Sequence, residues 1–62
     1  MEFNLIYANV EYHIVELEWI PNEIYEWCNQ QFGDSGKRWF ASVNKIYFIN
    51  KLDHMMFLVR WS

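Results

Sequence analysis

Cysteine, basic residues in the first half and long apolar runs are scarce in this chain, and each shortage excludes a class of protein. The single cysteine, Cys28, cannot form an internal disulfide, so a reduced, cytoplasmic setting fits best. No apolar run approaches the ~18 residues of a membrane span, and no charged-then-apolar leader begins the sequence. No repeat and no low-complexity segment interrupts it. We therefore expect a cytoplasmic protein without membrane contact.

Lys and Arg are missing from residues 1–36, which hold seven Asp or Glu. Residues 37–62 hold five Lys or Arg and one acid, Asp53, and the net charge is −3. Such asymmetry indicates interaction, although two halves packed against each other would explain it equally well.

The length of 62 residues predicts one domain over residues 1–62. A domain this small buries only about 60% of the surface that its unfolded chain exposes, so its core is marginal. Thirteen of its residues are Phe, Tyr or Trp, which bury much area per side chain. A chain this short lacks the interior to hide them all, and leftover apolar area favours a protein partner or a homodimer.

The first half predicts two strands and a helix. Phe3, Leu5 and Tyr7 alternate with Glu2, Asn4 and Ile6, and Val15–Trp19 alternates with Glu16 and Glu18 on one wet face. Residues 8–14 are ambiguous: Asn9 suits a hairpin turn, a bulge could reset the phase, and a helix through Tyr7, Val10, Ile14 and Leu17 also fits. Pro21 then begins a helix that Gly33 ends. Its inner face would hold Ile24, Trp27, Cys28, Gln31 and Phe32.

The second half predicts a hairpin followed by a final helix. Residues 38–43 and 45–49 are strands joined by a turn at Asn44–Lys45, which pairs Val43 with Ile46 and Ala41 with Phe48. Both hairpin faces are largely apolar, and only one of them can cover helices. The fold class is thus α+β: a small single-layer antiparallel sheet packed with two helices, in the order ββαββα.

The final helix begins at about Lys51, with Asn50 as its N-cap and Asp53 placed to bond back to the cap amide. Its apolar residues form two neighbouring stripes, so it is either buried on most sides or offers a stripe to a partner. The first stripe holds Leu52, Met55, Met56 and Val59, and the second holds Phe57 and Trp61.

No motif supports catalysis, a cofactor or a metal. The stretch Gly33–Lys37 has two residues between its glycines, where a P-loop has four, and the chain is too short to build a serine triad around Ser35. His13, His54, Cys28 and Asp53 do not pair at zinc spacings. We expect a non-enzyme in which His54 is solvated and Cys28 is a small core hydrophobe.

Two binding functions remain. Aromatic and Met side chains favour a protein-interaction module, with Phe40, Tyr47, Ile49, Met56, Phe57 and Trp61 as candidate contacts. The alternative is a single-stranded nucleic-acid binder, because Lys37, Arg38 and Lys45 interleave with rings on one hairpin. The acidic first half opposes this alternative, since its carboxylates would repel phosphates.

A packing and capping pattern over residues 25–62 resembles small uncharacterised proteins of tailed phages, of the marine and cyanophage type. It comprises Trp27-Cys28, Phe32-Gly33, Arg38-Trp39, Phe48-x-Asn50-x-x-Asp53 and Phe57-x-x-Arg60-Trp61. The resemblance implies a viral source, the host cytoplasm as location, and an accessory role in which the protein binds and redirects or inhibits a host or rival protein. It implies no activity for any single residue.

Overall fold

One antiparallel sheet and two helices make up the fold in the computed structural model, which describes residues 2–61 and the side chains of residues 4–61. The elements are β1 (Glu2–Tyr7), β2 (Val10–Glu16), α1 (Asn22–Phe32), β3 (Trp39–Ser42), β4 (Lys45–Phe48) and α2 (Lys51–Trp61). The strands lie in the order β1-β2-β4-β3. The predicted α+β class and the order ββαββα are confirmed.

Both helices pack on the same face of the sheet, where nearly all the buried apolar side chains meet. Phe48 is the centre of this core, with ring contacts to Phe32 of α1 at 5.7 Å and to Phe57 of α2 at 5.4 Å between centroids. Trp27 of α1 joins the two helices through a contact with Phe57 at 6.1 Å. The remaining buried members of the core are Val15, Ile24, Cys28, Trp39 and Ile46.

The hairpin of β1 and β2 turns at Ala8 and Asn9, which have φ of 53° and 65°. Two left-handed residues between paired strands are typical of the hairpin turns that match strand twist, so the turn at Asn9 is confirmed. The helix considered for this region was wrong. The second strand was also misplaced, because β2 covers Val10–Glu16 and ends before Leu17. Glu18 therefore lies outside the strand, and the predicted acidic face does not exist.

Ambiguity in residues 8–14 has a structural cause: β2 is covered on both faces. Val15 belongs to the core under the helices, whereas Ile14 is 1% exposed on the opposite face, beside Tyr47 of β4. A strand buried on both sides loses the apolar-polar alternation that identifies a half-buried strand. The alternation of residues 15–19 was interpreted as a strand, but only the first two of these residues belong to β2.

Helix α1 ends where it was predicted to end and begins one residue later than predicted, at Asn22. Pro21 is its N-cap, Glu23 lies in the first turn, and Gly33 ends it with φ of 86° while its N–H donates to Asn29 O at 3.0 Å. Ile24, Cys28 and Phe32 face the core as expected, and Gln31 is exposed.

The β3–β4 hairpin differs from the prediction in register but preserves its faces. Its turn is Val43–Asn44, so Ala41 pairs with Ile46 and Ser42 with Lys45. The register is shifted by two residues from the predicted one, and an even shift leaves every side chain on its expected face. Val43 occupies the turn with φ of 26° and is 91% exposed, so it is not part of the strand.

Candidate functional site

Helix α2 turns two of its polar residues, Asp53 and His54, inward and its largest apolar stripe outward. Asp53 and His54 are buried with Phe57 on the side that contacts the sheet. The opposite side carries four apolar side chains that are 47–86% exposed, and we call them the α2 stripe: Leu52, Met55, Met56 and Val59. A surface helix normally has the reverse arrangement. Of the two predicted alternatives for this stripe, burial is wrong, because the stripe is exposed.

Asp53 is buried because Arg38, just before β3, binds both of its oxygens. Arg38 Nε donates to Oδ2 at 3.1 Å and Arg38 Nη2 donates to Oδ1 at 2.7 Å. These hydrogen bonds, and then the charge attraction, raise the pKa of Arg38 above its ordinary value. The bidentate pair fixes the rotation of α2 about its axis. The expectation that Asp53 bonds back to the cap amide is replaced by this pair, while Asn50 caps the helix through Oδ1, which accepts from Leu52 N at 2.8 Å.

His54 is the second polar residue that α2 turns inward, and its predicted solvation was wrong. Its ring stacks on His13 of β2 at 5.5 Å and on Phe48 at 5.9 Å between centroids. His13 Nδ1 lies 3.2 Å from Asn4 Oδ1, and the Asn4 amide donates to Glu11 Oε2 at 3.2 Å. The stacked pair therefore joins α2 to the sheet through polar rings.

The two histidines form the floor of an open groove of about 570 Å³ between α2 and the β1–β2 hairpin. Its polar rim consists of Asn4, Glu11 and Lys51, and Met55 and Leu58 form an apolar wall. Within residues 2–61, no group of three or more His, Cys, Asp or Glu side chains is arranged to hold a metal ion. The groove is continuous with the α2 stripe through Met55.

The face of the sheet away from the helices is the second apolar surface. Phe40 and Tyr47 stack at 4.7 Å, and Tyr12 meets Phe40 edge-on at 5.8 Å. These three rings are half-buried because they cover Ile14. Toward β1 the face is more open, with Tyr7 70% exposed. These three rings therefore pack within the protomer, and they are less exposed than the side chains of the α2 stripe.

The six predicted protein contacts do not form one surface. Phe40 and Tyr47 lie on the open sheet face, and Ile49 and Met56 are exposed near or on α2. Phe57 is 2% exposed in the core and is unavailable to a partner. Trp61 is half-buried, with its ring against Trp27 at 6.1 Å and under the Arg60 guanidinium at 4.2 Å. Phe57 and Trp61 were predicted to be surface contacts because α2 has two apolar stripes.

The three basic residues of the nucleic-acid alternative are also dispersed. Arg38 is bound to Asp53, and Lys45 Nζ lies 3.4 Å from Glu16 Oε2 on the open sheet face. Lys37 is exposed in the loop before β3. The Phe40 and Tyr47 rings stack on each other, so each has one ring face occupied that a base would need.

Leu52, Met55 and Val59 were missed as site residues, although their shared face was recognised. The charge pattern of α2 identifies them only once the partner of its acid is known from the structure. Its exposed charged residues, Lys51 and Arg60, flank the stripe, whereas its one acid has a basic partner elsewhere in the chain. An acid that pairs across the fold marks the buried side of a helix.

Cys28 is a core residue, as predicted. It is fully buried on α1, and burial raises the pKa of its thiol to about 12, so it is not a reactive nucleophile.

The helices within the described residues are too short and insufficiently apolar to cross a membrane.

Relatives of known function could assign a role to a surface such as the α2 stripe. The phage-type resemblance of residues 25–62 is a prediction from sequence patterns alone. No protein-family model, no curated protein and no solved structure was found to match this chain.

Proposed function

We propose that this chain is a small accessory protein that binds another protein through the α2 stripe. The observation that carries the proposal is the inverted amphipathicity of α2, with Asp53 and His54 buried while Leu52 and Val59 lie in solvent. Exposed contiguous apolar residues that are rimmed by polar ones mark interaction surfaces. Met55 and Met56 suit such a surface, because Met is enriched at interfaces and adapts to its partner.

The inverted orientation of α2 is maintained by specific interactions. The Arg38–Asp53 pair and the His13–His54 stack hold two polar side chains of α2 against the sheet. Rotating α2 to bury the stripe would break both of them and would expose Phe57. These interactions and the burial of Phe57 therefore compensate for the cost of exposing the stripe. A partner that covers the stripe buries its apolar surface without any change in the fold.

The magnitude of this gain limits the kind of complex. Burying a Leu, Met or Val side chain completely contributes about 1.5–3 kcal/mol, so covering four that are 47–86% exposed yields roughly 5 kcal/mol. Association costs about 4–15 kcal/mol in lost translational and rotational freedom. Contacts beyond the stripe are therefore needed, and the apolar wall of the groove extends the surface on the side of Met55.

Redirection or inhibition of a host or rival protein is the accessory role that the phage-type resemblance implies, and it remains part of this proposal. The nucleic-acid alternative lacks a comparable observation, because Arg38 and Lys45 have carboxylate partners within the chain. Self-association through the same stripe is the other outcome that the experiment distinguishes.

The test is a retention experiment with immobilised protein and host lysate, in three versions. Wild-type protein is compared with Leu52→Ser/Val59→Ser, which makes the stripe polar, and with Tyr7→Ser, a matched control that changes an exposed ring on the open sheet face. We expect a protein that wild type and Tyr7→Ser retain and the stripe variant loses. The proposal fails if the stripe variant retains the same proteins as wild type.

Two further measurements distinguish the alternatives on the same three proteins. Sedimentation from 5 to 500 µM detects a homodimer, and a dimer that only the stripe variant loses would assign the stripe to self-association. Titration with oligo(dT) detects nucleic-acid binding, and a salt-sensitive complex that is unaffected by the stripe variant would favour the nucleic-acid alternative.

A further inference from the structure

We infer that the partner of the α2 stripe is an acidic amphipathic helix. This inference rests on the proposed function and names the chemistry of the partner. It follows from the charges beside the stripe, since an apolar stripe by itself does not distinguish one covering surface from another.

Lys51 and Arg60 are the exposed charged residues of α2, and both are basic. At about 100° of rotation per residue, Lys51 lies on one flank of the stripe and Arg60 on the other, about 13.5 Å apart along the axis. The only carboxylate of α2, on Asp53, is buried and bound by Arg38. The stripe is thus flanked diagonally by two cations, within a protein whose net charge is −3.

A helix fits this arrangement because helical periodicity repeats it. Carboxylates nine residues apart on a partner helix are also about 13.5 Å apart and fall on opposite flanks of the face between them. Because the diagonals of two facing right-handed helices cross, the matching carboxylates lie at positions i+1 and i+10 of a helix whose apolar side chains are at i, i+4, i+7 and i+11. These apolar side chains then cover the α2 stripe. Such a partner covers the stripe and places one carboxylate beside each of Lys51 and Arg60.

The other occupants fit the charges less well. The α2 of a second copy would bring two more cations and no exposed carboxylate, so none of the four would gain a counter-charge. An anionic membrane would attract Lys51 and Arg60, but as a wide surface it would also repel acids of residues 1–36 that a single helix lying on α2 does not cover. An acidic helix satisfies both the apolar stripe and its flanks.

The experiment uses three 18-residue helical peptides with the same four Leu anchors and with Glu, Gln or Lys at the two flanking positions nine residues apart. Affinities for the full chain are measured by fluorescence anisotropy at 50 mM salt and repeated at 500 mM. We expect the order Glu, Gln, Lys, with about a tenfold difference between the first and last peptides, which shrinks at high salt.

Charge reversal provides the decisive comparison. The variant Lys51→Glu/Arg60→Glu should invert the order of the peptides, whereas Lys37→Glu, which changes an exposed base outside α2, should leave it unchanged. Leu52→Ser/Val59→Ser should abolish binding of all three peptides. Inversion by the first variant alone supports the acidic helix as partner.

The contrary outcomes separate this inference from the proposed function. If the three peptides bind equally and the stripe variant loses them all, the stripe binds helices without preference for acid, so only the inference falls. If no peptide binds and the stripe variant abolishes self-association, the proposed function falls as well. Partition of wild type, but not the stripe variant, onto phosphatidylserine vesicles without peptide binding would overturn both in favour of a lipid surface.

Discussion

The orientation of α2 predicts that substitutions at two nearby apolar residues lower the free energy of unfolding by very different amounts. Phe57 is 2% exposed and Val59, two positions later, is 86% exposed. Replacing Val59 with Ser removes a side chain that buries almost nothing, and the two residues have similar helix propensities, so we expect a cost below about 0.5 kcal/mol. Replacing Phe57 with Leu leaves unfilled space against Phe48 and Trp27 and should cost about 1–1.5 kcal/mol.

These values suit a domain of this size. A chain of 62 residues is stable by about 3–9 kcal/mol, so Phe57→Ala, at about 3–5 kcal/mol, could unfold it, whereas Phe57→Leu leaves a measurable native state. Urea unfolding is followed by circular dichroism. With a denaturant dependence of about 1 kcal/mol per molar, the midpoint of Phe57→Leu should fall by about 1 M and that of Val59→Ser by less than 0.5 M. A larger loss for Val59→Ser would show that the stripe faces the core, and both proposals would fail.

Three further predictions concern the turn, the ion pair and the thiol. Val43→Gly should stabilise the fold by about 0.5–1 kcal/mol in urea unfolding, because relief of the β-branched residue at positive φ exceeds the backbone entropy of glycine; equal or lower stability would argue against this turn. Arg38→Met should lower the melting temperature more than Arg38→Lys, because only Lys leaves the buried Asp53 with a counter-charge, and equal melting temperatures would contradict the pairing. The pKa of the Cys28 thiol is raised from 9.0 to about 12, so the folded state holds its proton more tightly than the unfolded state does. The stability that this difference contributes is fully present below pH 9 and is lost as the pH rises toward 12. Wild type should therefore lose about 1.4 kcal/mol more per pH unit over that range than Cys28→Ala, and parallel pH profiles would contradict the burial.

Local signals in the sequence were sufficient to predict most of the fold. Asn9 in the first hairpin turn, Gly33 at the end of α1 and Asn50 at the start of α2 act through their own backbone or side chain on residues next to them. Such effects need no knowledge of distant parts of the chain. The faces of the second hairpin were also predicted, since period-two alternation survives a register shift of two residues.

Errors arose where a distant part of the chain changes what a residue contacts. The limits of β2 were missed because rings from β3 and β4 cover its second face and remove its alternation. Phe57 and Trp61 were assigned to a partner because the apolar pattern of α2 has two stripes and does not indicate which of them is buried.

The sequence by itself determined the order of the elements, where each helix begins and ends, and the apolar stripes of α2, because each depends on residues close together in the chain. The rotation of α2, and with it the candidate site, was decided by tertiary structure. Arg38 reaches Asp53 from fifteen residues away, and His13 stacks on His54 from β2, which is distant in the chain but next to β4 in the sheet. Burying a charged and a polar side chain is favourable only with such partners, so their positions in space leave Leu52, Met55, Met56 and Val59 in solvent.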